Sequence, residues 1–234
     1  MRSYLAVALV FGAGCATASR GDGTVDSNGK RDSNNQQFFD APSGQIDAPN
    51  SGGPDSAINV TLSETGGSTT VAAGATISCN NGTNTSDNIW YRAYQLSDFP
   101  GVTGGLHITG ITFGIEECSS AGTITVKIGS YTGSVDTLNT AMISSLQQAT
   151  TSPANATNTT VTVPIVADIV AGGKFVVQVS APASTTGYFV LGTTTTAESH
   201  NGYWSSAGCS QAAPESTTAA TQTTHNIIDV VGTH

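Results

Sequence analysis

From Ile58 onward the sequence is a series of short runs of β-branched and aromatic residues. Gly, Asn, Ser or Pro cuts off each run before it reaches the length of a helix. Strands are expected over 58–63, 68–72, 75–79, 88–96, 106–116, 122–131, 140–148, 158–166, 174–181, 187–192 and 224–231. Several runs alternate with period two, which marks half-buried antiparallel strands. Ile124, Val126 and Ile128 share one face, as do Ile111, Phe113 and Ile115. The continuous run Phe175-Val176-Val177 implies a strand covered on both faces. Helical signals are sparse: Ala167–Gly173 reads as a tight connection, because Gly172 and Gly173 end any helix there. Many short strands without strand–helix alternation define an all-β fold, an antiparallel β-sandwich of jelly-roll-like character. No repeat of 20–50 residues suggests a propeller or solenoid.

The first residues have a different character. Arg2 is followed by an apolar run from Tyr4 to Phe11, then by the small residues Gly12, Ala13 and Gly14, then by Cys15. Such a segment reads as a secretory signal over residues 1–14. A cysteine placed directly after small residues is the pattern of a bacterial lipoprotein signal, with Cys15 as the lipid attachment site. Gly12 stands where that pattern usually has Leu, so cleavage after Ala16 or Ala18 is the rival reading. The apolar run is less than half of the roughly 20 residues a membrane span requires. Residues 15–57 are expected to form a lipidated Cys and a disordered tether, being rich in Asp, Ser, Gly and Pro and without apolar periodicity. A segment of that composition cannot bury enough apolar area to offset the entropy of ordering. Its Asp26-Ser27-Asn28-Gly29-Lys30-Arg31-Asp32 stretch lacks the ligand series of a calcium loop and puts two cations where an anionic cage would stand. The β-sandwich domain is then expected over 58–234.

Charge narrows the functional classes. The formal net charge is -9, and Lys plus Arg total 7. Only Arg92, Lys127 and Lys174 lie beyond residue 31. Neutralised phosphates supply most nucleic-acid affinity, so nucleic acid is not an expected partner. Four cysteines occur, at 15, 79, 118 and 209. With Cys15 lipidated, an oxidising compartment leaves one disulfide and one odd thiol. Three pairings remain open; Cys79–Cys209 is favoured, because both sit in Gly/Ser/Asn-rich loop contexts.

No catalytic signature is present: no Gly-x-Ser-x-Gly, no His-Glu-x-x-His, no phosphate loop and no dinucleotide fingerprint. No catalytic residue is therefore assigned and the chain is not expected to be an enzyme. Arg92 alternates with Trp90, Tyr94 and Leu96 and so belongs to an inward face. A charge there must be paired, and Glu116, Glu117 or Asp229 are the expected partners in a structural ion pair. Asp87, Asn88, Glu116, Glu117 and Asp229 are the oxygen donors that a structural Ca²⁺ would use, but they form no contiguous ligand series, so no metal or other cofactor is assigned. Tyr203 and Trp204, in a Gly/Ser context, are candidate ligand-binding residues, since flat aromatic faces stack on sugar rings; Trp204 plugging one end of the sandwich is the plainer alternative.

The ordered series Asn88-Ile89-Trp90-Tyr91-Arg92, Phe113-Gly114-Ile115-Glu116, Val163-Pro164-Ile165 and Tyr188-Phe189-Val190-Leu191-Gly192, followed by a Cys209 loop and the 226–232 strand, resembles an accessory β-sandwich module of secreted bacterial proteins. There the module is often appended to peptidases or other hydrolases. The resemblance covers roughly residues 77–232 and implies fold and secretion but no catalytic residues. Together these features read as a bacterial cell-envelope lipoprotein, at the outer membrane or cell surface. It would meet the membrane through its lipid and display a binding or adhesion module for a polysaccharide or surface-protein ligand. A carbohydrate-binding module and a structural envelope protein without a small ligand are the alternatives.

Overall fold

Twelve strands build the domain, and no α-helix occurs among the described residues. A computed structural model describes residues 57–81, 84–119, 122–219 and 223–234. The signal, Cys15, residues 16–56 of the tether and the 26–32 stretch therefore lie outside the described residues. Two six-stranded antiparallel sheets pack face to face.

The first sheet contains β1 (Asn59–Leu62), β3 (Leu106–Ser119), β6 (Ala156–Ile169), β8 (Tyr188–Thr194), β11 (His225–Asn226) and β12 (Ile228–Thr233). Its axis is the 14-residue β3. One edge of β3 is fully taken by β6, and the other is shared between β12 at residues 107–113 and β8 at residues 114–119. The second sheet runs β10 (Gln211–Ser216), β9 (Gly202–Ser206), β2 (Asn88–Gln95), β7 (Lys174–Ala181), β4 (Ile124–Tyr131) and β5 (Ile143–Thr151).

Period-two alternation sets which side chains meet between the sheets. In β6 the buried positions are Val163, Ile165, Ala167 and Ile169, with exposed residues between them. Facing them across the core are Ile124, Val126 and Ile128 of β4, Trp90 and Tyr94 of β2, and Phe175, Val177 and Val179 of β7. Tyr94 stacks on Phe175 with ring centroids 5.0 Å apart, and Phe189 meets both Trp90 and Phe113 edge-on. Val176 points the other way, yet it is also fully buried. It belongs to a second, smaller cluster on the outer face of the second sheet, where the β4–β5 connection lays Val135 and Leu138 over Tyr91, Ala93 and Tyr203. That cover explains why Phe175-Val176-Val177 is an unbroken apolar run.

The structure differs from the expected strands chiefly in three places. Segments 68–72 and 75–79 are not strands; the 63–87 stretch crosses the end of the sandwich with only isolated bridges, such as Ala72 to Thr193. Residues 202–206 and 211–216 are strands, although their Gly, Ser, Ala and Pro content reads as loop. The 140–148 strand begins only at Ile143, after a 3₁₀ turn in which the Asn139 side chain accepts from the Ala141 amide.

Cys79 and Cys209 form a disulfide across a sequence separation of 130. Closing a loop of that size removes unfolded-state entropy worth about 2–5 kcal/mol. Cys118 is the remaining thiol among the described residues and is buried, within reach of the Pro153 carbonyl.

A close backbone approach lies where β3, β8 and the β11–β12 segment converge. The Ile227 amide donates to Gly192 and its carbonyl accepts from the Gly114 amide, each at 3.0 Å. Gly114 and Gly192 are direct cross-strand partners. A Cβ on either would sit 2.8–2.9 Å from the other's backbone. Gly192→Val should therefore overpack this crossing at a cost of about 1–3 kcal/mol. At about 2–4 °C per kcal/mol for a domain of this size, a thermal melt should fall by several degrees, and an unchanged melt contradicts the crossing.

Candidate functional site

The densest set of charged groups is buried, and it is centred on Arg92. Alternation in β2 turns Arg92 inward with Trp90 and Tyr94, and it is 0% exposed. Its Nη1 donates to Glu198 Oε2 at 2.6 Å and to the His200 carbonyl at 2.8 Å, and its Nη2 donates to the Asn226 carbonyl at 2.5 Å. Glu198 also accepts from the Gly202 amide and the Thr218 hydroxyl, at 3.1 Å each, and its Oε1 lies 3.0 Å from His225 Nδ1. One guanidinium thus ties β2, the 195–201 loop and β11 together. The expected partners Glu116 and Glu117 are not in this cluster. Glu116 accepts from the Gly74 amide and the Thr76 hydroxyl near the end of β3, and Glu117 is exposed. Asp229 feels the Arg92 charge but forms no ion pair with it; the carboxylate paired with Arg92 is Glu198. The carboxylate that pairs with Arg92 comes from the polar stretch Ala197-Glu198-Ser199-His200, whose only sequence signal is a Glu beside a His just ahead of an aromatic pair.

Around this pair Glu64, Asp229 and His200 have pKa values shifted by their surroundings. Burial raises the carboxyl of Glu64, against the opposing charges of His200 and Arg92. Burial also raises Asp229, with a Ser63 hydrogen bond and Arg92 opposing. One oxygen of each, Glu64 Oε1 and Asp229 Oδ1, has no hydrogen-bond partner among the described residues. For His200, burial disfavours the charged ring. The hydrogen bonds to Asp136 (2.9 Å) and Asp98 (3.1 Å) and the charges of Glu64 and Asp136 outweigh it, and the pKa is raised. His200 therefore clamps the 195–201 loop to the β4–β5 connection and to the 3₁₀ turn after β2.

The other candidate residues have structural surroundings. Tyr203 and Trp204 are not exposed stacking platforms: both lie in β9 and are 4% and 9% exposed. Trp204 faces the core beside Trp90 and its indole N–H donates to Asn88 Oδ1 at 2.8 Å. Tyr203 lies under the β4–β5 connection and donates to the Val135 carbonyl. Asp87 accepts from the Ala207 and Gly208 amides at 3.0 and 2.7 Å, which holds the Cys209 turn in place. Asn88 accepts from the Cys79 amide and donates to its carbonyl. The oxygen donors considered for Ca²⁺ are thus taken up by separate parts of the fold. Among the described residues no group of three His, Cys, Asp or Glu side chains is placed to hold a metal ion.

An open site lies elsewhere, on the outer face of the second sheet. It is a groove of about 210 Å³ lined by Lys127, Gln178, Ser145 and Thr140, with Gly129 and Ile143 beneath. It sits beside the connection that covers the smaller apolar cluster. Nothing in the sequence marks it, because none of these residues forms a motif.

No family model and no curated protein matches the sequence. A solved structure that resembles the fold is the crystal structure of the cysteine protease and lectin-like domains of Cwp84, a surface layer associated protein of Clostridium difficile. Its TM-score is 0.43 at 9% identity, and the match covers 64% of this chain and 33% of that one. This chain therefore spans about a third of that protein's length.

Two outcomes follow from the buried cluster. Arg92→Met leaves Glu198 buried without its counter-charge, which costs about 3–5 kcal/mol and lowers the melting temperature by on the order of 10 °C. A shift under about 2 °C contradicts the pairing. For pH, a raised His200 pKa gives stability that is full below the ordinary value of 6.5 and lost as pH rises through the folded value. Glu64 and Asp229, raised from 4.5 and 3.8, act in the same direction: the folded state holds their protons more tightly, so stability falls as pH climbs past those values. The domain should melt higher at about pH 5 than at about pH 8, and His200→Gln should flatten the upper part of that slope. A melt that rises from the lower pH to the higher one is the contrary result.

Proposed function

We propose that this chain is an exported bacterial envelope lipoprotein, anchored through Cys15, that displays a non-catalytic β-sandwich as a binding module. The observation that carries the binding role is how the polar groups divide. The buried charges of Arg92 and Glu198, and His200 with its carboxylates, are engaged with one another within the fold. The open groove instead offers an ammonium, an amide and two hydroxyls, a set suited to holding a ligand and without a nucleophile–base pair. The Cys79–Cys209 disulfide supports export, since such bonds persist in oxidising compartments. The order Gly12-Ala13-Gly14-Cys15 supports lipid attachment. Ala16 after the Cys, with no Asp there, favours the outer membrane where a cell has two.

Anchoring and binding are tested separately. Cys15→Ser should abolish incorporation of labelled fatty acid and move the chain to the soluble fraction. Unchanged membrane partitioning of that variant contradicts the lipoprotein assignment. The mature chain should be retained on isolated envelope material; a chain that washes through favours a structural role without a ligand.

A further inference from the structure

The geometry points to a carboxylate-bearing polysaccharide, a uronate-type chain, as the ligand of the groove on the outer face of the second sheet; this deepens the binding-module reading and rests on it. Cations are scarce in this chain. Beyond residue 31 the sequence has three basic side chains besides histidine. Arg92 is buried against Glu198. Lys174 donates its ammonium to the Gly133 carbonyl at 3.0 Å, pinning the β4–β5 connection. Lys127 makes no side-chain hydrogen bond or ion pair with any described residue, and it lines the groove.

Lys127 is also placed in a row. It pairs with Gln178 of β7 on one side and with Gln148 of β5 on the other. Side chains that pair in register project from the same face, so an amide, an ammonium and an amide stand side by side across three strands, a span of about 10 Å. Ser145 and Thr140 add hydroxyls on the β5 side. None of these four neighbours has a side-chain hydrogen bond within the described residues. The wall is shaped by a bulge: Ile128 pairs with Gln147 and Gly129 with Ser145, so Leu146 is the extra residue and is turned outward. Bulges re-aim side chains in this way. Gly129 is required beneath it, because a Cβ there would lie 2.4 Å from Ile143 Cγ2 and 3.1 Å from the Ser144 carbonyl oxygen.

The chemistry selects the ligand class. Amides and hydroxyls both donate and accept, which suits a ligand dense in hydroxyls. An ammonium only donates and gains most against an anionic oxygen. No carboxylate lines the groove, although the chain as a whole is strongly acidic. One positive charge balances one negative charge per subsite. Phosphate-rich chains call for several cations and for the guanidinium fork, which the groove lacks. A sugar chain whose rings each carry one carboxylate satisfies both halves of the donor set.

The test is affinity electrophoresis of the mature chain through gels holding polygalacturonate, with dextran as the neutral control and isolated envelope material as a third matrix. The expected result is retardation by polygalacturonate and not by dextran, weakening with added salt. Lys127→Gln should weaken binding about tenfold, and Lys127→Glu should abolish it. Gln178→Ala should weaken it while leaving the melting temperature unchanged. Equal retardation by dextran, or full binding by Lys127→Glu, overturns the assignment. Retention on envelope material without retention on polygalacturonate overturns the ligand class and leaves the binding module standing. Retention on neither overturns both.

Discussion

The guanidinium of Arg92 is the point through which the two sheets and their loops are held in one arrangement. A charged group inside a sandwich core is costly unless it is paired and hydrogen-bonded. Here the partners come from segments far apart in sequence: Glu198 and the His200 carbonyl from one loop, the Asn226 carbonyl from β11. Apolar packing alone tolerates sliding and repacking, whereas a fork of directed hydrogen bonds does not. The 195–201 loop cannot adopt another path without leaving a buried carboxylate unpaired. That loop in turn carries His200, which fixes the β4–β5 connection, and the connection covers the outer apolar cluster and borders the groove. The exposed surface is thus positioned through a buried charge.

Around this centre sit two carboxylates, Glu64 and Asp229, whose environment favours the neutral acid. Burial raises Glu64 and Asp229, and carboxylate neighbours raise His200. All three bind protons more tightly in the folded state. In these three groups the linkage runs opposite to the common case, in which salt-bridged acids make acid the destabilising condition.

Much of the sandwich was legible in the sequence, because strand pattern is a local property. The 174–181 strand has the same limits in both readings, and the β6 alternation of Val163 and Ile165 needs only period two to be seen. The inward turn of Arg92 follows from the same rule. Its partner did not, since Glu198 lies 106 residues away in a stretch that looks like ordinary polar loop. β9 and β10 were hidden for a different reason: Gly, Ser, Ala and Pro are poor strand formers, and the ladders of β9 on β2 and of β10 on β9 override that preference. The groove was illegible altogether. Lys127 becomes informative only once the structure shows that Arg92 and Lys174 are engaged elsewhere.

The way the domain is closed has a mechanical meaning. Asn59 to Leu62 pair with Val230 to Thr233, and the backbones of Ile58 and His234 bond to each other at 3.0 and 3.1 Å. A pull arriving from the N-terminal side is therefore delivered first to a four-residue ladder on the last strand. If that ladder parts, the chain can pay out only as far as Cys79, on the order of 75 Å, before the disulfide to Cys209 takes the load. Strands β2 to β9 lie inside that covalent ring and cannot be drawn out in series. Under tension the protein would behave as a short extensible leash ending in a locked body, with the groove strands β4, β5 and β7 on the sheltered side of the lock.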